Sequence, residues 1–148
     1  MLTETLITLF TRDLNALKTE IEAYHTETNL WLTPEGLSNS AGNLCLHLVG
    51  NLNHFIGATL GHSGYIRQRE LEFSLKDVPK AELIQQVEDT RQLVMSVLEN
   101  LTETDLQSEY THRVFGEPMT TGFFLVHLST HLAYHLGQIN YHRRILDC

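Results

Sequence analysis

The stretch 127-HLSTHLAYHLGQINYH-142 holds four of the chain's nine histidines, spaced four, four and seven residues apart. On an α-helix, side chains at i and i+4 leave the same face with their Cβ atoms roughly 5–6 Å apart. His131 and His135 form such a pair, HxxxH. Their rings could converge on one ion with N–metal distances of about 2.1 Å. The same spacing also suits a proton relay or a hydrated helix face. Leu132 stands where HExxH would need its glutamate, so the metalloprotease pattern, with that Glu as general base, is not met.

A third ligand would have to come from elsewhere. The segment 44-LCLHLVGNLNHFIGATLG-61 is apolar apart from His47, Asn51, Asn53, His54 and Thr59, and His47, Asn51 and His54 fall on one helical stripe. Polar groups inside an apolar helix need partners. A metal, or a hydrogen-bonded seam facing His131 and His135, would supply them, and the residues alone leave His47 and His54 both open as the third ligand. Three neutral imidazoles with one open position are typical of catalytic rather than structural metal sites. Gln138, three residues past His135, could orient a ligand or a bound water. His127, in an apolar neighbourhood, is read as structural or supporting, and His142 as solvent-facing. A ferritin-like di-iron set needs two Glu-x-x-His pairs on helices plus two further glutamates. Glu22–His25 and Glu109–His112 have the spacing, but the second pair lies in an irregular stretch.

The elements that must position these residues are helices. Leu6, Ile7, Phe10, Leu14, Leu17 and Ile21 recur at three- and four-residue steps, which predicts a first helix over roughly residues 3–24. After a loop with Pro34, Gly36 and 38-SNSAGN-43, a second helix should begin near Ser40 and run to about Gly61. The stretch 65–78 has no clear period and reads as a connection. Its Arg67, Arg69, Glu70 and Glu72 could line the mouth of a site, but are read first as a solvated charged stretch. A third helix is expected from Pro79 to about Leu101. An extended excursion follows over 107–121, and a fourth helix runs from a Thr120 or Thr121 cap to about Leu146. Four amphipathic helices in one domain, residues 1–148, predict an all-α four-helix bundle. The span between the second and third helices leaves room for a long crossover connection.

Composition narrows the partners. Ten Lys+Arg against 18 Asp+Glu give a net charge of −8, which opposes nucleic-acid binding because little counterion release is to be gained. Arg143-Arg144 matches a helix C-terminus. No segment has the length of a bilayer span, and the N-terminus lacks a basic region ahead of an apolar run. Two isolated cysteines, Cys45 and Cys148, fit a reducing compartment, with Cys45 a small buried apolar residue. The expectation is a cytoplasmic protein with no membrane partner.

The ending 131-HLAYHLGQ-138 resembles the HxxHHxGQ-type signature on the last helix of the DinB/YfiT-like superfamily. The segment 38-SNSAGNLCLHLVGNLNHFIGATLG-61, followed by 64-GYIRQRELEF-73, resembles one subgroup of it. The resemblance spans essentially the whole chain. It implies a DinB-like four-helix bundle with a crossover, often a homodimer, and a divalent transition metal held by His47, His131 and His135. Asn51, His54 and Gln138 would then be supporting residues. Tyr134 stands where many members carry a second adjacent His. Characterised relatives include metal-dependent thiol transferases that use low-molecular-weight thiols. The implied function is therefore a metal-dependent enzyme, a thiol S-transferase or hydrolase acting on a small molecule, with zinc or nickel as the metal. The alternative is a non-enzymatic metal-binding or stress-related assembly module.

Overall fold

The computed structural model describes residues 1–148. It contains four long helical segments: α1 (Leu2–Glu22), α2 (Ala41–Leu52), extended by a π-helical segment at Asn53–Ala58, α4 (Lys80–Glu99) and α6 (Thr121–Leu146). A 3-10 helix at Glu27–Trp31 and two short helices, α3 (Arg69–Ser74) and α5 (Glu103–Gln107), lie between them. The apolar period of α1 is the cause of its placement: Leu6, Phe10, Leu14, Leu17 and Ile21 are all essentially inaccessible. Leu83, Val87, Val94 and Leu98 do the same for α4, and Phe124, Leu125, Leu128, Leu132 and Ile139 for α6. Together with Leu44, Cys45, Leu48, Leu52 and Ile56 they form one continuous core.

Helix starts follow the side chains available. Ser40 Oγ accepts from Asn43 N–H at the start of α2, and Thr120 Oγ1 accepts from Phe123 N–H at the start of α6. Each satisfies a backbone donor that the first turn would otherwise leave bare. The 107–121 stretch is extended only briefly. Glu109 and Thr120 form an antiparallel bridge, and Tyr110 is buried with its hydroxyl donating to Phe55 O at 2.6 Å.

The long crossover does not fall between the second and third helices, where the sequence left room for it. α1 packs on α4 and α6, and α2 packs on the same two, so α1 and α2 lie on one diagonal and α4 and α6 on the other. The long connections that cross the bundle are therefore α1–α2 and α4–α6, whereas α2 and α4 are neighbours. Burial of Leu30 and Trp31 in the 3-10 helix makes the first connection part of the core rather than a free loop. The outcome that bears on function is that α2 and α6 lie side by side, with their histidines facing. No helix is long and apolar enough to cross a membrane.

Candidate metal centre

His47 is on the second turn of a helix that is buried over nearly its whole length, and is itself only 7% exposed. His131 and His135 sit one turn apart on α6, partly buried. One nitrogen from each of the three rings lies within 4.8 Å of the others. The His47 and His131 Nε2 atoms are 3.2 Å apart. Two nitrogens bound at about 2.1 Å to one tetrahedral ion would stand about 3.4 Å apart, so the pair is already spaced as co-ligands. His54, in contrast, lies in the π-helical segment. Its ring packs on Phe55 and stacks on His112, with centroids 4.7 and 6.0 Å away. The widened turn that begins at Asn53 breaks the α-helical stripe from His47, and His54 stands outside the three-histidine group.

The other nitrogen of two rings is fixed by a neighbour. His47 Nδ1–H donates to Glu72 Oε1 at 3.0 Å, a tautomer assigned from the network because an ionised carboxylate can only accept. Arg67 Nη2 lies 3.4 Å from the same nitrogen but donates to Glu72 Oε1 at 2.9 Å, while Arg67 Nε donates to Oε2 at 2.8 Å. His135 Nδ1–H donates to Gln138 Oε1 at 2.7 Å. In both rings Nε2 is left with its lone pair, the form a metal ligand needs.

Glu72 and Arg67 thus depart from the solvated charged stretch expected of 65–78. Glu72 is 6% exposed, and the bidentate Arg67 pair is equally enclosed. Burial alone would raise the Glu72 pKa, but hydrogen bonds from His47 and Arg67 outweigh it and hold the carboxyl below its ordinary range. Gly50 makes the placement possible, because a Cβ there would collide with the Glu72 carboxylate. No local signal announces this partner: the apolar period of 65–78 is absent because the residue it buries is a glutamate, recruited by a histidine 25 positions away.

The remaining atoms also bear on occupancy. His131 Nδ1 and Asn51 Oδ1 are buried without a hydrogen-bond partner, and Asn51 lies one turn beyond His47. Burial, and then the neighbouring imidazoles, push the His131 pKa down to about 4, and burial lowers that of His135 despite its bond to Gln138. Both rings are therefore neutral near pH 7. Three imidazoles converging, with orphaned polar atoms on the same two helices, are a donor set that fits a divalent transition ion.

One other sequence expectation resolves differently. His142 is not solvent-facing: it is 5% exposed, accepts from the Tyr24 hydroxyl at 2.6 Å and donates from Nε2 to Leu32 O at 2.8 Å. His127, read as structural or supporting, is outside the convergent group: its ring packs against Phe115 and Phe124 and stacks on His131 with centroids 6.3 Å apart. Cys45 is fully buried, and desolvation pushes its thiol up to about 12, so it is an inert core residue. Arg143 pairs with Glu20 across the α1–α6 contact at 2.7 Å.

The comparisons agree with this architecture. YfiT from Bacillus subtilis, described as a probable metal-dependent hydrolase with an unusual four-helix bundle topology, superposes with a TM-score of 0.77 at 15% identity, covering 96% of this chain and 86% of that one. A DinB-like protein from Bacillus cereus ATCC 10987 superposes with a TM-score of 0.74 at 18% identity, covering 95% and 90%. At these identities the likeness is one of fold. No curated protein matches the sequence. The profile of the DinB superfamily matches residues 10–139, and the chain belongs to that superfamily.

Proposed function

We propose that the protein is a metal-dependent enzyme in which His47, His131 and His135 hold a divalent transition ion and leave a coordination position open to a small molecule. The convergence of three imidazole nitrogens within 4.8 Å carries the reading. A divalent ion bound there would supply Lewis acidity, lowering the pKa of a water or thiol that joins it and polarising a carbonyl-type oxygen.

The residues around it have separable tasks. Glu72 keeps His47 in the tautomer that presents Nε2, and Arg67 holds the carboxylate against rotation by its two-point contact. Gln138 does the same for His135 without adding charge. Their depressed pKa values keep His131 and His135 unprotonated at neutral pH, so protons do not compete for the ligand positions. A hydrolase or a thiol S-transferase would use the same ligands and differ in the nucleophile, water in one and a low-molecular-weight thiol in the other.

The test is a Zn²⁺ and Ni²⁺ titration of the wild type and of His47→Ala, His131→Ala and His135→Ala, followed by turnover of neutral ester substrates with and without added thiol. One site in the wild type, lost in each variant, with metal-dependent turnover, is the expected result. Unaltered metal binding in all three variants would overturn the ligand assignment, and metal binding without turnover of either kind would favour the non-enzymatic alternative.

A further inference from the structure

A cleft of 690 Å³ lies between the loop 34–39, the first turn of α2 and the C-terminal half of α6. It reaches the histidine group through His135 and Gln138, which line it. Its size is that of a small-molecule site. Its position rests on the metal reading above for its meaning, but its chemistry can be read independently.

That chemistry combines exposed apolar side chains with an absence of cationic ones. Tyr134, Tyr141, Leu37 and Ile145 line the cleft and are 66, 64, 45 and 66% exposed, a concentration of apolar side chains that a surface does not keep without use. No Lys or Arg is among the lining residues, and the one carboxylate is Glu35. Arg144 is close by, but stacks on the Tyr141 ring with its Cζ 5.3 Å from the centroid and does not line the cavity. His142 lines the wall, yet both its nitrogens are committed, to Tyr24 and to Leu32 O. An anion entering here would lose hydration and meet no fixed positive group, in a protein of net charge −8. At the boundary with His135, Gln138 spends its carbonyl on the histidine. Its amide NH₂ makes no bond within the protein and is a neutral donor aimed at whatever shares the space with His135.

We infer that this cleft is the substrate site of the metal centre, and that it takes an uncharged molecule with an aromatic or branched apolar body and a carbonyl-type acceptor, while rejecting anions. The body lies on Tyr134, Tyr141 and Leu37, and the acceptor points to the Gln138 amide NH₂, beside His135. Anionic low-molecular-weight thiols are thereby excluded as occupants of the cleft.

The experiment measures binding of two probes with one body, N-methyl-2-naphthamide and 2-naphthalenesulfonate, to metal-free and zinc-loaded full-length protein, by fluorescence and by amide chemical-shift mapping. Zinc content is measured in the same samples. The amide is expected to bind about tenfold more tightly than the sulfonate and to perturb the 34–39 loop and residues 134–146. Tyr141→Ala, an exposed position whose loss the fold tolerates, should weaken the amide about fivefold. Ser38→Arg, which puts a cation on the lining, should shift the preference toward the sulfonate. Equal or tighter binding of the sulfonate to the wild type, or an amide affinity unmoved by Tyr141→Ala, would overturn the inference. Zinc-loaded protein that ignores the amide defeats the cleft and leaves the metal reading standing. Protein that takes up no zinc but binds the amide in the cleft defeats the metal reading instead.

Discussion

Replacing Glu72 by Gln keeps the volume of the side chain and removes its charge. In the wild type, one carboxylate oxygen accepts from His47 Nδ1 and Arg67 Nη2, and the other accepts from Arg67 Nε. An amide has one acceptor oxygen. If that oxygen stays with Arg67, the NH₂ faces His47 Nδ1 and drives the proton to Nε2, the nitrogen that lies 3.2 Å from His131 Nε2. The metal must then displace a proton from a ring in the wrong tautomer. Loss of such a partner typically costs about 10–100-fold in affinity, or about 1.4–2.7 kcal/mol. Arg67 also loses the charge that compensates its burial, which destabilises the fold by about 3 kcal/mol, the low end for breaking a buried pair because the amide oxygen still accepts. Competition with a chromophoric chelator gives the affinity, and thermal melting of metal-free protein gives the stability. A Glu72→Gln protein that folds and binds zinc within about twofold of wild type would refute the claim that the carboxylate sets the His47 tautomer.

Other consequences are equally accessible. Gly50→Ala places a Cβ against the Glu72 carboxylate; it should cost about 1–3 kcal/mol in a denaturant melt and lower metal affinity in the same direction as Glu72→Gln. His131 has an ordinary pKa of 6.5 that burial lowers to about 4. The unfolded chain therefore binds more protons between those values, and metal-free protein should lose stability as pH falls through that window, an effect His131→Ala should remove from the pH–stability curve. Asp147, its side chain almost wholly buried, accepts from the backbone of His25 and Thr26 and from Asn29. Burial opposes its ionisation, but those bonds prevail and hold its pKa at about 2, below the ordinary 3.8. Its stabilisation is present above pH 3.8 and lost as pH falls through 2, and Asp147→Asn should cost about 2 kcal/mol at neutral pH by chemical denaturation.

Periodicity made the long helices legible, because each of α1, α4 and α6 buries a face whose apolar residues recur at helical steps. Caps were legible too: Ser40 and Thr120 stand where the second and fourth helices were expected to begin. The facing of His47 with His131 and His135 was suggested by composition and sharpened by resemblance, since nothing local ties α2 to α6. Features set by distant contacts were not legible. His142 looked exposed near a helix end, yet Tyr24 and the Leu32 carbonyl, more than a hundred positions away, enclose it. Glu72 looked solvated in a charged segment because its burial depends on Arg67, on His47 and on the missing Cβ of Gly50 together. The diagonal placement of α1 and α2 follows from packing of the 3-10 helix that holds Leu30 and Trp31, residues with no helical period to betray them.

The measurement that bears most directly on the central claim is the metal content of protein purified without a histidine tag, before and after incubation with Zn²⁺ or Ni²⁺. The account predicts about one equivalent per chain after incubation, falling to background in His131→Ala. Less than about a tenth of an equivalent under every condition, or full loading of His131→Ala, would contradict it.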